Sequence, residues 1–168
     1  LDPDATIALI DKYFGGLKPN PELPKLDLPK EAPITQPVVK EVLGPDAESV
    51  ALAWRFPGVS DKDFEILQVV SQVLYNGKAG LIDLDLNQQQ KVLNSYGYPM
   101  GLADYSALLL GGLPKQGQTL EEVKDLLLSE IKKLRAGEFD EKMLEANINN
   151  FKLGELQNME SNEGRADM

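Results

Sequence analysis

From Glu48 to Phe56 the chain alternates, with Val50, Leu52, Trp54 and Phe56 on one register and Ser49, Ala51, Ala53 and Arg55 on the other. A period of two is that of a strand with one apolar face. The small residues of the second register predict a helix packed closely over that face. Val38 to Leu43 reads as a preceding strand, joined to the first through Gly44-Pro45-Asp46, which is turn chemistry. Lys91 to Tyr98 and Tyr105 to Leu110 read as two more strands across Pro99 to Asp104, an antiparallel pair.

Helical periods occupy the rest. Ile7, Ile10 and Phe14 recur on one face, with Asp2 as cap, Pro3 at the first helical position and Gly15-Gly16 as stop. Phe64, Leu67, Val70 and Leu74 form a second stripe, opened by Ser60 with Asp63 in the capping-box position and ended by Asn76-Gly77. Thr119-Leu-Glu-Glu122 is a capping box for a helix running to about Arg135 and stopped by Gly137. Asp140 caps a last helix built on Leu144, Ile148 and Phe151, beyond which nothing from Asn158 to Met168 offers a packing face. Six of the eleven prolines fall between Lys18 and Pro37, an extended connector crossing the surface of one domain. The order of elements predicts an α+β fold, an antiparallel sheet with helices packed on one face, and a single domain over residues 1–168.

Composition narrows the chemistry. With 17 basic and 27 acidic residues the net charge is −10, and no basic patch is interleaved with aromatics, which argues against nucleic acid as a partner. No stretch has the roughly 20 apolar residues of a membrane span. The chain has no Cys and no His. It therefore lacks thiol chemistry, the commonest zinc ligand and the commonest general base.

Two stretches still invite a site. Asp83-Leu-Asp85-Leu-Asn87 matches the first three ligand positions of a calcium loop, but Gln88 stands at the glycine position and Asn94 at the bidentate glutamate position. The expected reading is a short amphipathic passage with Leu81, Leu84 and Leu86 inward and both aspartates solvated. Gln88, Gln89 and Gln90 offer amides to an extended backbone. Asn94, Tyr96 and Tyr98 share one face of their strand, where phenol groups can hold a peptide or face solvent. Gln90, Asn94, Tyr96 and Tyr98 are the candidate substrate-binding residues, and none is a catalytic or metal candidate.

Several stretches, in this order, resemble the insulinase/pitrilysin and mitochondrial-processing-peptidase family of zinc metallopeptidases. LDPDATIALIDKYFGGLKP is similar to its helix ending in Tyr-Phe-Gly-x-Leu. ALAWRFPGVSDKDFEILQVVSQVL is similar to its strand-to-helix passage, and LEEVKDLLLSEIKKLRAGEFDEKMLEANINNFK to its closing pair of helices. The resemblance implies α+β domains that close around an extended peptide, with zinc held by an inverted H-x-x-E-H motif that this chain lacks. It implies that this is a truncated domain, beginning after the first strand of its part, without the zinc-bearing portion. Zinc is then expected in the parent protein and none in this chain, which alone is expected to be inactive. The implied partners are the remaining peptidase domains, an extended peptide substrate and a second copy meeting an open sheet edge. A bacterial periplasm or envelope follows from the family alone. Relatives often place an Arg and a Tyr over the site in a segment corresponding to Leu86 to Tyr96, where this chain has amides and no Arg. The alternative is an inactive structural or assembly domain, like the family's non-catalytic subunits.

Overall fold

The computed structural model describes residues 2–24 and 29–166. They form two compact units, residues 1–43 and 44–168. In the first, α1 (Pro3–Phe14) begins as its sequence predicts. The Asp2 carboxylate accepts from the Asp4 and Ala5 amides at 3.0 and 3.4 Å, and the proline removes an amide that had no partner. Its stripe of Ile7, Ile10 and Phe14 is exposed. Val38 to Leu43, expected as a strand, forms no regular element, and its four aliphatic side chains are exposed. A strand exists through its ladder, and among the described residues this segment has none.

The second unit holds a three-stranded antiparallel sheet in the order β1-β3-β2. Its strands are β1 (Val50–Pro57), β2 (Asn94–Gly101) and β3 (Tyr105–Leu113). All three were located from the pattern, each offset by a few residues. The register sets Leu52 opposite Leu110 and Trp54 opposite Leu108, so one face carries Val50, Leu52, Trp54, Phe56, Leu108 and Leu110. Helices α2 (Lys62–Leu74) and α3 (Leu120–Ala136) pack on that face, enclosing the core with Leu67, Leu74, Val123 and Leu127. The fold is α+β, with helices on one face of an antiparallel sheet. The small-residue face of β1 corrects the expectation above: Ala51 and Ala53 are exposed, and the helices cover the opposite face. Large side chains set the layer spacing, and β3 supplies the close approach instead. A Cβ on Gly112 would lie 2.5 Å from Val123 Cγ1, so α3 sits directly on that glycine.

Helix ends follow their local chemistry. The Thr119–Glu122 capping box forms, and Gly137 closes α3 in the left-handed region at φ 73°. For α2 the cap is Asp61, one residue beyond the expected Ser60. Asp140 caps α4 (Glu141–Asn158), and a short α5 (Asn162–Ala166) with a buried Gly164 follows where no packing element was expected.

Between α2 and β2 the stretch Asp83–Asn87 forms a π-helical turn. Gln88 N–H donates to the Asp83 carbonyl and Lys91 N–H to that of Leu86, both at 2.8 Å and five residues back. Leu81, Ile82 and Leu86 are buried, while Leu84 is partly exposed, in place of the expected Leu81-Leu84-Leu86 set. Both aspartates are engaged by the protein, although Asp85 keeps part of its surface in solvent. Asp83 is buried and accepts from the Asn76 and Gly80 amides, each at 3.0 Å. Asp85 accepts from Lys133 Nζ of α3 at 2.5 Å, and the same ammonium reaches fully buried Glu130 at 2.9 Å. One cation thus ties the π turn to α3 and neutralises a carboxylate inside the core.

The three groups titrate in different senses. The bond from Lys133 holds Asp85 below the usual carboxylate range, burial pushes Glu130 up, and the bond to Asp85 raises Lys133. Asp85 therefore contributes stability above its unfolded pKa that is lost as pH falls through its lowered one. Glu130 has the opposite sign, its ionised form costing stability that returns as pH falls through its raised pKa.

Three changes test this packing, the first two on glycines. Gly112→Ala should cost about 1–3 kcal/mol by driving α3 off the sheet. Gly154→Ala, whose Cβ meets nothing within 4 Å inside α4, should gain about 0.5–1 kcal/mol. Urea midpoints at constant m-value measure both. Lys133→Met leaves Glu130 buried without its partner and should cost about 3–5 kcal/mol at neutral pH. That loss should shrink on acidification as Glu130 and Asp85 protonate, and the Lys133→Met step made in an E130Q background should keep only the smaller pH dependence that Asp85 supplies. A pH-independent loss in the single variant would refute the assignment.

Candidate functional site

The face of the sheet turned away from α2 and α3 is built from the alternate register: Ala51, Ala53 and Arg55 of β1, Tyr105, Ala107, Leu109 and Gly111 of β3, and Asn94, Tyr96, Tyr98 and Met100 of β2. Three of the four candidate residues meet here. The hydroxyl end of the Tyr96 ring lies over Gly111, where a Cβ would sit 2.2 Å from its Cζ. Tyr98 stacks beside it, with ring centroids 6.2 Å apart and planes 18° from parallel. Asn94 and Tyr98 are exposed and Tyr96 is half-buried. The Arg55 guanidinium stands 4.9 Å over the Tyr105 ring. None of these strand residues is a carboxylate.

Gln90 is not part of this group. It occupies the turn before β2 with φ 51°, a left-handed conformation uncommon outside glycine. Its amide donates to the Asn87 carbonyl at 3.0 Å, and its carbonyl accepts from Lys115 Nζ at 2.8 Å. Its neighbours are also engaged structurally, Gln88 Nε2 donating to the Lys78 carbonyl at 3.0 Å and Gln89 Nε2 to Asp85 Oδ1 at 3.4 Å.

Asn87, weighed in the sequence only as the third position of a calcium-loop match, has a structural role that its spacing did not suggest. Its Nδ2 donates to the Ser95 carbonyl, and its Oδ1 accepts from both the Ser95 amide and the Ser95 hydroxyl, all at 2.8 Å. A side-chain amide here does what a neighbouring strand would do, on the edge of β2 that β3 does not use. The clue available in the sequence was a lone Asn seven residues before a strand, too common to carry an inference.

A zinc ion does not fit the residues present. The chain has neither His nor Cys, and among the described residues no three carboxylates converge. Asp83, Asp85 and Asn87, which matched a calcium loop in spacing, point to three different partners: the Asn76–Gly80 backbone, Lys133 and Ser95. The groove beside α4, floored by Phe139, Leu144 and Ile148, has mixed charge on its rim and no nucleophile paired with a base.

Among solved structures, a protease from Helicobacter pylori superposes with a TM-score of 0.74 at 23% identity over 99% of this chain and 41% of its own. An inactive peptidase domain from Bordetella parapertussis, assigned to a zinc protease, gives a TM-score of 0.62 at 17% identity over 74% of this chain and 69% of its own. At these identities the likeness is one of fold, and the chain spans less than half the length of the H. pylori protein. Among curated proteins no sequence matches. Residues 1–151 match the peptidase M16 inactive domain, and the chain belongs to that family.

Proposed function

We propose that this chain is a non-catalytic wall of a peptide-binding chamber, within a parent protein whose other domains hold zinc and hydrolyse peptide bonds. In this reading residues 1–168 act as one domain of that parent. The observation that carries it is the position of Asn94, Tyr96 and Tyr98 on the sheet face that the helices leave open. A near-parallel pair of phenol rings beside an alanine floor receives apolar side chains of an extended peptide, and the hydroxyls and Asn94 amide offer hydrogen bonds to its backbone. Membership of an inactive-domain family and a donor set unsuited to zinc support the assignment of hydrolysis to other domains. The second reading, a structural or assembly domain, draws on the same face packing permanently against a neighbouring domain.

Binding and metal content separate these readings. Isotope-labelled chain titrated with a library of end-capped extended nonapeptides should show NMR shifts confined to Asn94–Met100 and facing β3 residues. Tyr96→Ala/Tyr98→Ala should weaken that binding about tenfold or more. No response at this face favours the assembly role. Elemental analysis should find no stoichiometric zinc in the purified chain, and no peptide should be cleaved. Tightly held zinc, or proteolysis surviving repurification, would overturn the proposal.

A further inference from the structure

Of the nine asparagines in the chain, Asn76 alone is followed by glycine. That pair can react with itself. The Gly77 nitrogen attacks the Asn76 side-chain carbonyl carbon, the new C–N bond closes a succinimide ring, and Nδ2 leaves as ammonia with the proton that Gly77 gives up. Water then opens the ring at either carbonyl, leaving aspartate or isoaspartate. Glycine allows this most readily, since no Cβ crowds the nucleophile or restricts its backbone. Gly77 is exposed with φ 76°, and its N–H has no hydrogen-bond partner among the described residues.

The nucleophile is free, and the fold acts on the electrophile. Asn76 is half-buried just beyond α2, and both ends of its side-chain amide are held. Oδ1 accepts from the Lys78 and Ala79 amides at 3.1 and 2.9 Å. Nδ2 donates to the Gln72 carbonyl at 3.0 Å and, at 3.5 Å, to Oδ1 of Asn147, the buried residue of α4. The Asn76 backbone is fixed as well, its N–H donating to buried Asp83 at 3.0 Å. Ring closure must turn the amide out of these contacts. Departure of ammonia also needs a proton, and both partners of Nδ2 are acceptors with none to give.

We propose that Asn76–Gly77 is a site of spontaneous deamidation, held unreactive by the folded loop and released when the end of α2 opens locally. The product cannot restore the original contacts. A carboxylate at position 76 still accepts from Lys78 and Ala79, but its second oxygen meets the Gln72 carbonyl, two acceptors with no proton between them. It also adds negative charge at the C-terminal end of a helix with no basic residue in its last turn, beside buried Asp83. Isoaspartate lengthens the backbone by a methylene and displaces the Asp83-bound amide too. The reaction is therefore one-way: it follows an opening, and it leaves the junction of α2, α4 and the π turn easier to open again.

Purified chain kept in mildly alkaline buffer, with and without guanidinium chloride, tests this by peptide mass mapping and enzymatic isoaspartate labelling. Asn76 should be the first asparagine to react in denaturant, and should react at least about tenfold more slowly in the native chain, where the step waits on local opening. Asp83→Ala, which frees the Asn76 N–H, should speed the native reaction and leave the rate in denaturant unchanged. Asn76→Asp should lower the urea midpoint and quicken hydrogen exchange at the amides of residues 76–80. Equal rates in native and denatured chain would overturn the proposal, as would earlier reaction at another asparagine or a native rate unmoved by Asp83→Ala. An Asn76→Asp chain as stable as wild type would overturn the one-way change. Should Asp83→Ala not fold, wild-type rates across sub-denaturing guanidinium decide instead: they should rise with denaturant, and a flat profile overturns the protection.

Discussion

Three hydrogen bonds between Asn87 and Ser95 fasten the π turn to the edge of β2. Ser95 lies in β2, and Asn87 ends a π turn whose other side chains reach the segment just after α2 through the Asp83-to-Asn76 bond and α3 through Lys133. The turn must therefore present Asp83, Asp85 and Asn87 in three directions within five residues. An α-helical turn advances about 100° per residue, whereas five-residue hydrogen bonding inserts an extra residue and changes those angles. The wider turn buries Leu86 while keeping all three polar contacts.

The sheet gains its two dissimilar faces from adjacent glycines in β3. Gly112 lets α3 come down on one face, and Gly111 leaves room for the hydroxyl end of the Tyr96 ring on the other. Alternation assigns them to opposite sides. A side chain at either would lift one layer, so this pair controls both the helix packing and the shape of the open surface. The buried face is closed by leucines and valines. The open face has an aromatic platform at one border and alanines between.

Membership of an inactive-domain family agrees with how the carboxylates are used. Asp83 caps backbone amides, Asp85 and Glu130 share one ammonium, and Glu122 completes a capping box. Each has an architectural partner.

Much of this protein was legible in one dimension because its signals are local. Capping at Asp2, Thr119 and Asp140, the glycine stop at Gly137 and the alternation of β1, β2 and β3 depend on residues within a turn or a strand of each other. The same alternation placed Asn94, Tyr96 and Tyr98 together on one face, and the ordered motifs identified the family. What the tertiary structure alone decided is which surfaces meet. The helices chose the large-residue face of β1 over its alanines, since burying Leu52, Trp54 and Phe56 removes far more apolar area from water. Val38 to Leu43 has strand composition and no ladder among the described residues. Asp83 and Asp85 had the look of solvated acids until folding brought Asn76, Gly80 and Lys133 to them. Gln90 was separated from the tyrosines by a backbone turn that periodicity does not encode. Composition and period describe a residue's preferences, but the partner for a buried polar group comes from elsewhere in the chain and appears when the chain closes on itself.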